Sequence, residues 1–595
     1  MGKIAEVKDW ISSGFKTLRA RMRSTDKLSL ALIVISVALL SVFVLFPVFA
    51  VVINAFEEPD GEIGIQNFAN LFTTPSYRRG LQNSIICASL TLATTSAIGI
   101  TVAYIMTRYA FPGKKIFTLL TILPLMVPPF VGALALIGML GRNGTITNFL
   151  HSLFQSLGLN ISLEGGLILP NILGIVFIQT FHLWPLIYLN TSASLSKIDP
   201  TLEESARNLG ASGFKLFSRI TLPLALPGFA AGALLVFLWS ISDLGTPIML
   251  NFSEYSVFQA FNELTIQEGY REMASVISIV LTAISALALL LVNRYVGLKE
   301  YATVRAGAAP RGIQRKTGKK LSLIILLFLS LLVLISIIPH IGTVMMAFTI
   351  RPPYGEWVPT GVTMDYMIMA LGEQRSSLAV ANSLIYSLLA SFADIFLGAA
   401  IAYLLVRKKF PGKSILDVIS MMPFAIPGIV IGLGYIYLFS RPIIGNFRLT
   451  SIWYILVIAY AMRRLPYAVR SSHAVLQQVH ESLEEAATNL GASRIKTLTS
   501  ITIPLIMPGL VAGAILTFVT SFTEVSTSLL LQPIIGPLGI YARPLTLQIL
   551  LQAKGGPTAI RVASCLGLIQ IVVASIGLYI TNKLLGGKAG LAFGG

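Results

Sequence analysis

Two carboxylates, Asp243 and Glu524, stand at equivalent positions 281 residues apart inside long apolar runs. An acid in such a run is expensive to hold in lipid and usually faces an aqueous path, where two of them could attract a cation. Counting from Pro227 at about 1.5 Å per residue places Asp243 about 24 Å along its helix, in the outer part of a membrane. The competing reading puts both acids at helix ends, capping local amides and touching nothing transported. Residues for other chemistry are sparse. Only five histidines are spread over the 595 residues, without the clustered His, Asp or Glu of a membrane-embedded active site. No Gly-x-x-x-x-Gly-Lys-Ser/Thr phosphate loop occurs, so ATP chemistry would belong to another polypeptide. Cys87 and Cys565 lie inside predicted spans and can build neither a disulfide framework nor a metal cluster. No metal ligand set is assigned. Asp394 aligns with Thr95 and His182 with Arg463, an asymmetry that argues for local packing roles.

A second constellation is duplicated outright. Leu202-Glu-Glu-Ser-Ala-Arg-Asn-Leu-Gly-Ala-Ser212 returns as Leu483-Glu-Glu-Ala-Ala-Thr-Asn-Leu-Gly-Ala-Ser493, identical at nine of eleven positions. Thr201-x-x-Glu204 and Ser482-x-x-Glu485 read as capping boxes, with Asp199-Pro200 competing as the helix start in the first copy. Gly210 and Gly491 then stop each helix after two to three turns, because a left-handed C-cap is cheap for glycine. Leu202, Ala206 and Leu209 form the expected apolar stripe. Such a unit is stiff enough to pass force and small enough to sit in a partner's groove. A mere connector between spans has no physical reason to keep Asn-Leu-Gly-Ala-Ser in both halves.

These residues resemble the EAA loop of binding-protein-dependent ABC transporter permeases, and the chain resembles two such type I permeases fused. The resemblance implies an ATPase-coupling surface made of Glu203, Glu204, Ala206, Leu209 and Gly210, and of Glu484, Glu485, Ala487, Leu490 and Gly491. It further implies two copies of a cytoplasmic ABC ATPase, an extracytoplasmic solute-binding protein, and no need for a second permease subunit. No cofactor is expected on this chain, ATP and Mg being used by the ATPase. Phe237-Leu-Trp-Ser-Ile-Ser-Asp-Leu-Gly-Thr-Pro-Ile-Met-Leu250 and Phe522-Thr-Glu-Val-Ser-Thr-Ser-Leu-Leu-Leu531 are similar to ferric-iron uptake permeases. Thiamine, phosphonate and polyamine systems have related permeases and stay open as alternatives. An ion-driven secondary transporter would also show spans and a repeat, yet would need no EAA segment.

The elements that must position these residues are membrane helices. With 55% hydrophobic and 12% charged residues and a mean hydropathy of +0.78, the chain is more apolar than a soluble core requires. Stretches long enough to cross about 30 Å of hydrocarbon recur along it. Twelve spans are predicted, at 28–55, 82–107, 116–140, 167–189, 225–250, 274–293, 321–348, 382–406, 415–439, 451–468, 507–531 and 562–582. Backbone groups in lipid must bond within their own segment, so runs this long are helices; a β-barrel would show ten-residue alternating strands instead. The first span is too long for a signal peptide and lacks a small-residue cleavage site.

Basic residues set the predicted orientation. Lys3, Lys8, Lys16, Arg19, Arg21, Arg23 and Lys27 precede the first span, whereas Glu57, Glu58, Asp60 and Glu62 follow it. The N-terminus is therefore expected inside, as are both EAA segments, the turns at Arg108/Lys114/Lys115 and Arg407/Lys408/Lys409/Lys413, the linker from Arg294 to Lys320, and the C-terminus. The expected location is a prokaryotic inner membrane. The net charge of +18 belongs to helix ends beside an anionic leaflet, without any nucleic-acid recognition motif.

Duplication extends beyond the EAA segment. Asn83-Ser84 pairs with Asn382-Ser383, Phe111-Pro-Gly-Lys114 with Phe410-Pro-Gly-Lys413, and Pro124 and Pro128 with Pro423 and Pro427, all at an offset of 299. Pro185, Pro223, Pro227 and Gly228 match Pro466, Pro504, Pro508 and Gly509 at an offset of 281. The expected fold is all-α: twelve transmembrane helices as two tandem six-helix units, related by a pseudo-two-fold axis along the membrane normal. Its expected divisions are a segment 1–27, a first helix and loop 28–78, a permease domain 79–293, a linker 294–320, a seventh helix and loop 321–377, a second permease domain 378–581 and a tail 582–595. The paired prolines of the third spans fit either moving bends or static kinks.

Overall fold

The computed structural model describes residues 27–584 apart from 59–60, 143, 160, 162, 164, 168–170, 266–270, 300–314, 351–358, 443–447 and 540. Nearly all of the predicted N-terminal segment, most of the linker and most of the tail lie outside the described residues. Nine helices frame the first half: α1 (Lys27–Phe56), α2 (Pro75–Arg108), α3 (Lys114–Leu120), α4 (Pro129–Leu140), α5 (Ile172–Lys197), α6 (Pro200–Asn208), α7 (Leu222–Ile241), α8 (Gly245–Met249) and α9 (Arg271–Lys299). The second half repeats them in order as α10 (Lys319–Phe348), α11 (Gln374–Arg407), α12 (Lys413–Met421), α13 (Gly428–Phe439), α14 (Tyr454–Leu476), α15 (Ser482–Asn489), α16 (Ile503–Phe522), α17 (Ser526–Leu530) and α18 (Pro557–Leu584).

Ten helices among the described residues are long and apolar enough to cross a membrane, or eleven if the bent pair Lys413–Phe424 and Gly428–Phe439 is one span. The predicted count was twelve. The difference lies in α14, which is 23 residues long but carries Arg463, Arg464 and Arg470 and so is not an apolar run. The third spans are also not continuous. The predicted stretch 116–140 divides into α3, a short 3-10 turn at Leu123–Met126 and α4, and its counterpart bends by 105° between Phe424 and Gly428. Proline lacks the amide that would continue the ladder, so the helices stop at Pro124/Pro128 and Pro423/Pro427. Nδ1 of His182 donates to the Pro124 carbonyl at 2.8 Å and Nε2 of His340 to that of Leu123 at 3.0 Å, while the Thr527 hydroxyl donates to the Gly428 carbonyl at 3.2 Å.

Within each half, α5 packs on α2 and α7, and α14 on α11 and α16. The first helix of each half crosses to the other. α1 packs on α9 of its own half and on α13 of the other; α10 packs on α18 and on α4. Small residues permit this contact. A Cβ at Gly434 of α13 would stand 2.3 Å from the Pro47 carbonyl oxygen of α1, and one at Gly342 of α10 would stand 2.6 Å from Sδ of Met139 in α4. A π-helical stretch at Ser41–Leu45 interrupts α1 here, and the Tyr435 hydroxyl donates to the Phe43 carbonyl at 2.9 Å. One buried core consequently runs through residues of both halves.

If the α1–α13 crossing requires backbone approach, Gly434→Ala forces the helices apart. The expected cost is about 1–3 kcal/mol, read as a lower thermal unfolding midpoint of the detergent-solubilised chain. Gly372→Ala, where an added methyl meets nothing within 4 Å, serves as the matched control.

Candidate coupling and pathway sites

The short helix α6 begins at Pro200, with Asp199 as its N-cap: the Asp199 carboxylate accepts the Thr201 amide at 2.9 Å. That hydrogen bond holds the exposed Asp199 carboxyl below its ordinary range. Thr201 is therefore inside the helix, and the predicted Thr201–Glu204 capping box is replaced by an Asp-Pro start. In α15 the Ser482–Glu485 box does not form either. Glu481 holds the cap position without a side-chain bond, and Ser482 instead pairs with Nδ1 of His480 at 2.8 Å.

Both helices end as predicted on glycine. Gly210 has φ +86° and Gly491 φ +84°. Ala211 and Ala492 donate their amides back to the carbonyls of Ala206 and Ala487 at 2.9 and 3.0 Å, while Gly210 and Gly491 donate to Arg207 and Thr488. This is the paired hydrogen-bond pattern of a Schellman C-cap. Nothing lies near either glycine's missing side chain, so the requirement is the left-handed backbone and not space.

Exposure divides the residues expected to couple into two groups. Glu203 and Ala206 are buried, as is Ala487, and Glu484 is half-buried. Glu204 and Glu485 face outward, and Leu209 and Leu490 are each 90% exposed. The predicted stripe of Leu202, Ala206 and Leu209 is thus split: Ala206 packs inward while Leu202 and Leu209 project outward, because the inner face is taken up by an ion pair. Glu203 is ion-paired with Arg108 at 2.6 Å and accepts from Arg207 at 3.4 Å and from the Thr221 hydroxyl at 3.1 Å. Glu484 accepts from Nε of Arg407 at 3.0 Å. Arg108 and Arg407 terminate α2 and α11 at the same offset of 299 that relates the flanking motifs. By sequence both arginines read only as orientation charges; their equivalence at that offset is the signal of a shared role.

Asp243 and Glu524 do not lie within helices. Each occupies a break, Asp243 between α7 and α8 and Glu524 between α16 and α17. Asp243 accepts the Thr246 amide and Glu524 the Thr527 amide, both at 3.2 Å, so each carboxylate caps the short helix that follows. Their remaining partners differ. Asp243 accepts from Nε2 of Gln179 at 3.0 Å, and Oε1 of Gln179 in turn accepts from Ser240 and Thr91 at 2.6 and 3.1 Å. Glu524 is ion-paired with both Arg463 and Arg464 of α14. Among the described residues no group of three or more His, Cys, Asp or Glu side chains is arranged to hold a metal ion.

The same two-part organisation appears in comparison with known proteins. The family model of the binding-protein-dependent transport system inner membrane component matches residues 95–300 and again 394–588. The chain belongs to this family. It is thus a multi-pass membrane protein and the permease component of a binding-protein-dependent ABC importer, a transport protein and not an enzyme. The putative ferric transport system permease protein FbpB 1 of Haemophilus influenzae is 28% identical over 520 residues, covering 86% of this chain and 79% of that one. The ferric transport system permease protein FbpB of Actinobacillus pleuropneumoniae is 28% identical over 518 residues, covering 86% and 73%. The molybdenum transport system permease protein ModB of Escherichia coli is 35% identical over 216 residues, 35% of this chain and 92% of that one.

The unlike partners of the two acids predict unlike costs of neutralisation. Glu524→Gln leaves two largely buried guanidinium groups without their countercharge and is expected to cost about 3–5 kcal/mol. Asp243→Asn keeps an acceptor for the Thr246 amide but turns its NH2 toward that of Gln179, and is expected to cost about 1–2 kcal/mol. Thermal unfolding midpoints of the two purified variants give the comparison; equal shifts would refute it.

Proposed function

We propose that this permease forms the translocation pathway for ferric iron and is driven by two copies of a cytoplasmic ABC ATPase. One copy docks on α6 and its following turn, the other on α15, and an extracytoplasmic solute-binding protein delivers substrate to the opposite face. The observation that carries this reading is the repeated pairing of an exposed leucine with a Schellman-capped helix, Leu209 before Gly210 and Leu490 before Gly491. Large apolar side chains so exposed on short polar helices suit burial in a partner's groove. In this reading Glu204 and Glu485 lie at the same surface, both termini are cytoplasmic, the membrane is the prokaryotic inner membrane, and ATP and Mg are bound by the ATPase and not by this chain. Ferric iron is supported by the two ferric transport permeases that align over most of the chain.

The substrate path runs between the halves, with Asp243 and Glu524 at the breaks that flank it. Asp243, balanced only by neutral donors, is the carboxylate available to a cation; Glu524 is already balanced by two arginines. ATP closure of the ATPase dimer draws α6 and α15 together and swings the halves from inward-facing to outward-facing, and hydrolysis resets them.

Uptake of radiolabelled ferric iron by cells carrying the permease, its ATPase and its binding protein tests this reading. A Gly210→Val/Gly491→Val chain that remains in the membrane is expected to lose uptake, because a β-branched residue cannot hold φ near +85° without strain. Asp243→Asn is expected to weaken uptake more than its small stability cost explains. No uptake by the native system overturns iron and leaves thiamine, phosphonates, polyamines or an oxyanion to be assayed in the same cells.

A further inference from the structure

Two arginine–glutamate ties, one buried and one largely buried, repeat at equivalent positions while the residues around them do not. In the first half, Glu203 joins three elements: Arg108 at the end of α2, Arg207 on its own helix, and Thr221 in the π-helical turn that leads into α7. In the second half, Arg407 at the end of α11 holds Glu484 and also donates to the Val479 carbonyl at 2.6 Å, just before α15. Thr488 stands where the first half has Arg207, and the hydroxyl of Thr502, the counterpart of Thr221, has no hydrogen-bond partner among the described residues. What both halves keep is the contact from the end of a 34-residue helix to the acid that immediately precedes the exposed Glu204 or Glu485. Side-chain exposure at Arg108 is 9% and at Arg407 6%, so each guanidinium is withheld from water and from a docking partner.

We propose that Arg108–Glu203 and Arg407–Glu484 are the rigid links through which movement of each coupling helix reaches the second helix of its half. The four residues are positioning residues; they transmit motion and touch neither substrate nor nucleotide. The geometry suits that task. Adjacent acids on one short helix face opposite ways, the outer one toward the partner and the inner one toward the membrane domain. A buried charge pair resists separation because either member left alone is strongly destabilised. A helix of 34 residues spans about 50 Å, so a displacement at its basic end is carried across the whole membrane. In the first half the additional Thr221 bond extends the link to α7; in the second half it stops at α11.

This inference rests on the ATPase-docking reading above, and the test separates the two. The full chain, assembled with its ATPase in lipid nanodiscs, carries nitroxide labels in one of two pairs. Ser205→Cys with Ala486→Cys reports the coupling helices, and Arg78→Cys with Ser377→Cys reports the far ends of α2 and α11. In the native complex both pairs are expected to change separation when ATP binds a hydrolysis-deficient ATPase. In Arg108→Gln/Arg407→Gln the coupling-helix pair is expected to move as before while the far pair loses its shift. Arg108→Lys/Arg407→Lys, which restores a buried cation to each glutamate, is expected to recover it and so excludes misfolding as the cause. An unchanged far-pair shift in the glutamine variant, or a lysine variant as still as the glutamine one, overturns the link alone. No movement of the coupling-helix pair in the native complex overturns the docking reading and the link with it.

Discussion

Lipid offers no hydrogen bonds, so every interruption of a membrane helix must find partners for the amides and carbonyls it releases. This permease interrupts its helices repeatedly, and its intramembrane polar residues are distributed accordingly. His182 and His340 take the carbonyls released at Leu123 and Pro124, Thr527 takes that of Gly428, and Tyr435 takes that of Phe43. Asp243 and Glu524 accept the amides that begin α8 and α17. Two of these breaks lead into α4 and α13, the helices on which α10 and α1 pack from the opposite half.

The same constraint explains how one pair of equivalent acids acquires different surroundings. Capping an amide needs only a carboxylate oxygen, which both halves provide. The second oxygen is left to the neighbourhood, where the first half supplies a glutamine amide and the second supplies two arginines. The two breaks are therefore chemically unlike despite the repeated architecture, with an acid held by neutral donors in one and an ion-paired cluster in the other. The short helices α6 and α15 follow a parallel logic. Their backbone geometry is duplicated to within two degrees of φ at the terminal glycines, while their polar attachments share only the arginine–glutamate contact.

Much of this was legible in the sequence, for identifiable reasons. Long apolar runs dictate helices in lipid, so all but one of the predicted spans coincide with helices or broken helix pairs that pass as apolar. The terminal glycines could be read because left-handed backbone has few other hosts. The readings that failed depended on which of several polar side chains wins a local competition. Asp199 with Pro200 outcompeted Thr201 as a helix start, and His480 engaged Ser482 before Glu485 could. Leu209 was legible as apolar but not as exposed, since the burial of Glu203 beside Arg108 is a contact between residues 95 apart. The arginines of α14 did not keep 451–468 from reading as a span, and their pairing with Glu524 required the fold.

The central claim is that the repeated segments are docking surfaces for two identical ATPases. Cysteines placed at Leu209 and Leu490 and crosslinked in native membranes address it most directly. The account predicts that each position alone captures one ATPase copy and that the doubly substituted chain captures two in a single complex. Cysteines that capture no ATPase, or that react with an impermeant thiol reagent from the extracytoplasmic face, would contradict it.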